Sequence, residues 1–459
     1  MKRFTLSGNQ QQNLTPQQQK VVDSLDPTVL VNAVAGSGKT ATLMHLATKY
    51  KKGIYLAFNK AIVKDVVPKL PMGWTCKTFN AFGLGMIKKH YPHATVNFNK
   101  YFDLPGANFN SATLVSKHMN MNGNVSDVSW KETCNRFKIS PSLISESKEM
   151  FDTGKANTNV ISGDDMLQYP IDNGWKSEEY EIVLVDECQD LNPQQIAFLT
   201  CIPTKRIVFV GDMNQAIYGF RGSDPYAIQN IDDHYNPVEY ELTESFRCPQ
   251  EIINTIKHIV PNITSKKTGG EIDIAQSSRD IDFPDECFII SRTNNNLVKL
   301  AYKFILNNDH FSIGGAFIAQ LKKDLNRAFK GANSLADIKE NVIELYEREI
   351  KQTKRHNWNI ASVENKYDSL LSIINVAKSI EDIHVFVKNL AMHSDSASCR
   401  KLMTIHAAKG LETPTVYFIK PDACAYFKEK TDIQWEKQQE DNLYYVACTR
   451  ALNKLVFVN

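Results

Sequence analysis

The chain lacks any apolar run long enough to cross a bilayer. Its longest stretches, such as Val29 to Val31 and Ile182 to Val185, fall far short of a membrane span. The start, Met1-Lys2-Arg3, leads into a polar, Gln-rich segment and not an apolar leader, so the expectation is neither a membrane-spanning nor a secreted protein. Charge of one sign is lacking too. Lys and Arg total 53 against 51 Asp and Glu, a formal net charge of +2, which excludes the long-range basic field of a DNA-packaging protein and confines any nucleic-acid contact to local patches. The nine cysteines are odd in number and show no Cys-x-x-Cys spacing, which fits neither a disulfide framework nor a zinc or iron–sulfur site. They read as reduced thiols, and the expected location is cytoplasmic, with a nucleus or a virus-infected cell as alternatives.

What is present is enough for two to four domains: 459 residues, 42% of them hydrophobic. Short apolar runs bounded by turn residues recur at Val29 to Val34, Ile54 to Phe58, Ile182 to Val185, Ile207 to Val210, Cys287 to Ser291, Leu402 to Ile405, Val416 to Ile419 and Leu455 to Val458. Such runs suit parallel strands covered by helices on both faces, so the class is α/β. Two stretches break the rhythm, 86–176 and 316–399, and read as mainly helical insertions. In the second, Ile338, Val342, Ile343 and Leu345 lie close to one helical face.

After the run ending at Val34 comes Ala35-Gly36-Ser37-Gly38-Lys39-Thr40, followed by the helix-like Ala41 to Tyr50. Strand, glycine loop and helix stand in the order of a phosphate-binding P-loop. Glycines let backbone amides turn toward phosphate oxygens, Lys39 can reach the β and γ phosphates, and Thr40 can ligate Mg²⁺. Ala33 occupies the position of the pattern's first glycine. Further on, Glu181 to Asp190 reads as a buried strand delivering Asp186 and Glu187 at its C-terminal end, where an open α/β sheet binds ligands. Asp186 would hold Mg²⁺, and Glu187 would orient and deprotonate the water that attacks the γ phosphate.

With these strings in place, the chain resembles the superfamily 1 helicases of the UvrD, Rep and PcrA type. Phe209 to Gly222 is similar to the family's third motif, Leu242 to Arg247 to its fourth, Met403 to Glu412 to its fifth, and Tyr444 to Ala451 to its sixth. The resemblance implies that Gln215 senses the γ phosphate, Arg247 meets it, Phe246 stacks on adenine, Glu412 binds the ribose and Arg450 acts as an arginine finger. Leu14 to Gln18 resembles the adenine-reading glutamine motif, with Gln18 at the matching position; an ordinary helix start is the alternative. Ala35, Gly36, Ser37, Gly38, Lys39, Thr40 and Ala41 would line the phosphates.

On the DNA side, the resemblance implies Tyr218 and Phe220 as stacking aromatics, since a ring face stacks on any base; core aromatics are the alternative. Asn59, Thr78, Asn80, Arg292 and His406 would add DNA contacts, with a capped helix start as the competing reading of Thr293 and Asn294. The implied fold is two RecA-like motor domains, residues 1–85 with 177–242 and residues 243–315 with 400–459. Residues 86–176 and a reduced 316–399 form accessory insertions. The implied activity is ATP- and Mg²⁺-dependent translocation on single-stranded DNA, 3′ to 5′, with unwinding at duplex junctions. The alternatives are a translocase that strips proteins and a nucleotide-controlled DNA-binding loader. A monomer is expected, with replication or recombination proteins as candidate partners and no membrane. No nuclease motif is identified, and no partner-binding tail is expected after the last predicted strand.

Overall fold

The computed structural model describes residues 14–122, 129–137, 139–219, 224, 226–278, 281–355, 360–392 and 400–459. The chain forms two compact units, one comprising residues 1–133, 141–213 and 222–243, the other residues 134–140, 214–221 and 244–459.

The first unit is built on a six-stranded parallel sheet. In spatial order its strands are Thr75–Thr78, Gly53–Ala57, Ile182–Asp186, Ile207–Gly211, Thr28–Ala33 and Val238–Leu242. Alternating side chains feed two cores, as a two-residue period requires. Leu30, Ile54, Leu56, Val183, Val185 and Phe209 pack on one side. Val29, Val31, Tyr55, Ala57, Ile182, Leu184, Val208 and Val210 pack on the other. The four central strands are the expected apolar runs; the two edge strands are more polar and half-exposed.

The first insertion adds helices Phe109–Met121, Ile144–Ala156 and Asp165–Asp172, and pairs Thr95–Val96 with Val160–Ile161. It carries small apolar clusters of its own, one around Tyr101, Ala112, Val115, Met119 and Met150, another around Ile87, Ala94, Ile161, Met166 and Tyr169. Between them lies a buried ion pair, Lys100 Nζ to Asp165 Oδ2 at 2.7 Å. Tyr101 donates to the second Asp165 oxygen at 2.9 Å, and the Ser162 amide donates to Oδ2 at 2.9 Å. The pair is held by neighbours on every oxygen named, which is the condition for burying charge.

The second unit has its own six-stranded parallel sheet, ordered Glu271–Ala275, Ala451–Val458, Thr413–Ile419, Cys287–Ser291, Arg400–Thr404 and Ser312–Ile313. A separate parallel pair joins Glu244–Pro249 to Thr264–Lys267. The stretch expected to be a reduced insertion forms helices Gly315–Ala328, Leu335–Arg355, Ile360–Val376 and Ile380–Met392. Its buried residues Ile318, Leu325, Val342, Leu370, Phe386 and Leu390 join one core with Ile289, Leu402 and Val456 of the sheet. Of the face anticipated from periodicity, Ile338 and Val342 are buried, Leu345 packs at the edge of the core and Ile343 is exposed. Among the described residues, no helix is long and apolar enough to cross a membrane. Every described cysteine is a free thiol.

Candidate functional site

In the first unit, strand Thr28–Ala33 runs into the loop that ends at Gly38, the residue before helix Lys39–Ala47. Gly36 and Gly38 hold φ of 74° and 80°, backbone that favours glycine and turns successive amides inward. Ala33 is the last residue of an extended strand, so that position needs no glycine here. The helix start has no side-chain cap, which leaves its amides for an anion. Ser37 Oγ is buried without a hydrogen-bond partner, an atom a phosphate oxygen would satisfy. Lys39 Nζ donates to Ala33 O at 3.1 Å, folding the ammonium back to the strand end. Thr40 and Ala41 occupy the first turn of the helix, both partly exposed.

Strand Ile182–Asp186 lies one strand away, with Ile207–Gly211 between it and the loop strand. Asp186 is buried and its carboxylate accepts from the Tyr55 hydroxyl and, at 2.9 Å, from the Glu187 amide. Burial, with the neighbouring Glu187 charge, pushes its carboxyl up to about 6, against the opposing pull of the Tyr55 hydroxyl and the Lys39 ammonium. A divalent cation would relieve both the desolvation and the carboxylate repulsion, so the donor set fits Mg²⁺. Glu187 adopts φ of 54° and is held by Gln189, whose Nε2 donates to Glu187 Oε2 at 2.6 Å.

Other residues expected at the site in this unit have structural partners. Gln18 is buried and closes a capping box on helix Pro16–Asp23, with Oε1 accepting from the Thr15 amide at 2.9 Å and Nε2 donating to Ser37 O at 3.0 Å. Both ends of the amide, expected to read adenine, are here engaged by the helix start and the glycine loop. Asn80 Nδ2 donates to Gly163 O at 2.7 Å, which ties helix Phe79–His90 to the insertion. Asn59 and Thr78 are N-caps, accepting from the amides of Ile62 at 3.0 Å and Ala81 at 3.3 Å.

In the second unit, Arg247 Nε lies 2.7 Å from Glu412 Oε2, which brings two of the expected nucleotide-contacting residues together. Phe246, their neighbour, is 41% exposed, as a stacking face requires. Arg450 is buried. Its Nε donates to Val446 O at 3.0 Å, Nη1 to Leu411 O at 3.2 Å and Nη2 to Thr449 Oγ1 at 3.0 Å. It thereby braces the turn Gly410-Leu411-Glu412, where Gly410 has φ of 84°.

Residues 214–219 are gripped within this unit. Lys409 Nζ donates to Gln215 O at 2.6 Å, and Asn442 Nδ2 to Ala216 O at 2.9 Å. The Tyr218 hydroxyl donates to His406 O at 3.2 Å, with the Lys409 ammonium 4.8 Å from the Tyr218 ring centre. Phe220 lies outside the described residues. Arg292, expected at the DNA backbone, has partners within this unit. Its Nε and Nη2 donate to the two Glu440 oxygens at 2.8 and 2.7 Å, and its guanidinium lies 4.2 Å over the Phe427 ring. A half-buried, bidentate, stacked arginine ties the end of strand Cys287–Ser291 to the helix carrying Glu440. Sequence reasoning also missed Tyr55, Gln189 and Glu440. Only Gln189 left a trace, as part of the acidic string.

The family described as UvrD/REP helicase N-terminal domain matches residues 59–236. The family described as UvrD-like helicase C-terminal domain matches residues 316–459. F-box DNA helicase protein 1 of Schizosaccharomyces pombe is 23% identical, covering 96% of this chain and 57% of the relative. F-box DNA helicase 1 of Gallus gallus is 26% identical, with coverage of 98% and 49%. Gabija protein GajB of Bacillus cereus is 23% identical, with coverage of 94% and 92%. The chain therefore spans about half the length of the two F-box relatives. Two family domains in the right order, on two parallel-sheet units, identify the chain as a member of the UvrD/Rep-type superfamily 1 helicases.

Proposed function

We propose that the chain is an ATP-dependent DNA motor that moves 3′ to 5′ along single-stranded DNA and separates duplex at junctions. The observation that carries this reading is the pairing, in one sheet, of an uncapped glycine loop holding an orphaned Ser37 hydroxyl with the buried Asp186–Glu187 strand end. The names of the F-box relatives point the same way.

In this account the amides of residues 35–41 and Lys39 bind the phosphates, and Thr40 and Asp186 hold Mg²⁺. The ion, when bound, screens phosphate charge and orients the oxygens. Glu187 takes the proton of the attacking water, while Gln215 reads the γ phosphate. Phe246 stacks on the base, and Glu412, now paired with Arg247, is drawn to the ribose as Arg247 turns to phosphate. Arg450 acts as a preorganised charge, since a guanidinium already fixed by three acceptors needs no reordering when charge spreads on the phosphoryl group. Tyr218 and Phe220 would stack on bases, and Thr78, Asn59 and His406 would each add a DNA contact. Alternating affinity for the strand through the hydrolysis cycle gives directed motion.

A single-strand translocase that strips proteins is the second reading, favoured by the helices of residues 316–392, which share the motor sheet's core. Strand displacement measured beside protein removal decides. The main reading expects both, each abolished in Glu187→Gln; robust stripping without strand separation rejects unwinding. Hydrolysis that single-stranded DNA does not stimulate would reject both motor readings and favour a nucleotide-controlled loader.

A further inference from the structure

Glu187 occupies left-handed backbone, φ 54°, so contacts must aim its side chain where the strand geometry alone does not. The contact is Gln189, 1% exposed. Its Oε1 accepts from the Asp212 amide at 3.0 Å while its Nε2 donates to Glu187 Oε2 at 2.6 Å. A backbone N–H can only donate, so the amide oxygen must face Asp212, which turns the NH₂ group toward the carboxylate. Gly211 supplies the space. A Cβ there would lie 2.4 Å from Gln189 Oε1 and 2.8 Å from Cys188 Sγ. Gly211 is not among the glycines of positive φ, so its missing side chain serves the close approach and not a turn.

We propose that Gln189 is a positioning residue for hydrolysis: it bridges Glu187 to the backbone at Asp212, fixing the rotation of the carboxylate and coupling it to the end of strand Ile207–Gly211. The proposal rests on Glu187 being the base. Asp212 is fully buried and stands two residues before the point where the chain enters the second unit, so the bridge joins the base to the end of a first-unit segment.

The test uses the full chain with ATP, Mg²⁺ and single-stranded DNA. It measures single-turnover hydrolysis, affinity for a non-hydrolysable ATP analogue, and melting temperature. Gln189→Glu keeps the acceptor for the Asp212 amide but sets a like charge against Glu187. Its hydrolysis rate should fall about 10- to 100-fold, the scale expected of a misplaced catalytic group, with analogue affinity within about twofold of wild type. Gly211→Ala should give the same split by displacing the amide, without altering either side chain of the bridge. Wild-type rates in Gln189→Glu, with Glu187→Gln inactive, overturn the positioning role alone. Analogue affinity and melting temperature falling in step with rate also overturn it, in favour of a purely structural role. Normal turnover in Glu187→Gln removes the base, and the proposal falls with it.

Discussion

The two inserted stretches look alike in sequence, both Lys- and Asn-rich and helical, yet they bury their interiors to different degrees in the adjoining sheet. The first encloses charge, the Lys100–Asp165 pair with Tyr101 and Tyr169 around it, and carries small apolar clusters of its own, with Leu167 and Ile171 alone of its last helix reaching the sheet's core. The second places its apolar residues into the core of the second sheet, beside Ile289 and Leu402. Independence follows from where the apolar surface is buried. A module with its own interior can loosen alone, whereas helices that complete a sheet's core share its unfolding.

The largest expected effect tests the polar interior. Asp165→Asn should destabilise the first insertion by about 3–5 kcal/mol, because Lys100 is left as an uncompensated buried charge. Hydrogen exchange should rise most across residues 95–161, which carry the separate clusters, and least in strand Ile182–Asp186; equal loss in that strand breaks the comparison. Next, Leu390→Ala, at a fully buried site, should destabilise by about 2–5 kcal/mol. Here exchange should rise in strands Cys287–Ser291 and Arg400–Thr404 as well, and a loss confined to residues 315–392 would contradict the shared core.

A smaller change probes the joint between the first insertion and its sheet. A Cβ on Gly83 would lie 2.1 Å from Met166 O, so Gly83→Ala should cost about 1–3 kcal/mol as helices Phe79–His90 and Asp165–Asp172 move apart. A denaturant midpoint at the wild-type value would show that the helices already have slack.

The smallest effect is one of pH. Burial, with the nearby Lys148 charge, lowers the imidazole of His118 from 6.5 to about 4. Asn122 donates to its Nε2 at 2.7 Å, and Nδ1 lies 3.1 Å from the Thr133 hydroxyl, partners that suit the neutral ring. The unfolded state therefore binds the extra proton between pH 6.5 and 4, so this contribution is complete above 6.5 and is lost as pH falls toward 4. Melting temperatures at pH 7 and 5 should diverge less in His118→Leu than in wild type; an unchanged difference would mean that another group sets the acid limb.

How much was legible follows from how each residue signals. The eight apolar runs all fall on strands; most are buried on both faces, which leaves an unbroken apolar string, while strand Arg400–Thr404 buries only Leu402. Edge strands such as Val238–Leu242 and Glu271–Ala275 alternate with polar residues and gave no such run. The strand, glycine loop and helix around Lys39, and the strand ending at Asp186, were readable because each pattern is local in sequence. The partners of Arg292 and Asn80 were not readable, because Glu440 lies 148 residues from the first and Gly163 lies 83 from the second. Tyr55, on a different strand from the Asp186 it touches, had no sequence mark.

The most direct test of the motor account is translocation on single strands labelled at one end or the other, with ATP and Mg²⁺ supplied. The account predicts ATP-dependent arrival at the 5′ end, none at the 3′ end, and none in either case for Glu187→Gln. Arrival at the 3′ end would reverse the proposed direction, and binding without movement on either substrate would contradict the motor itself.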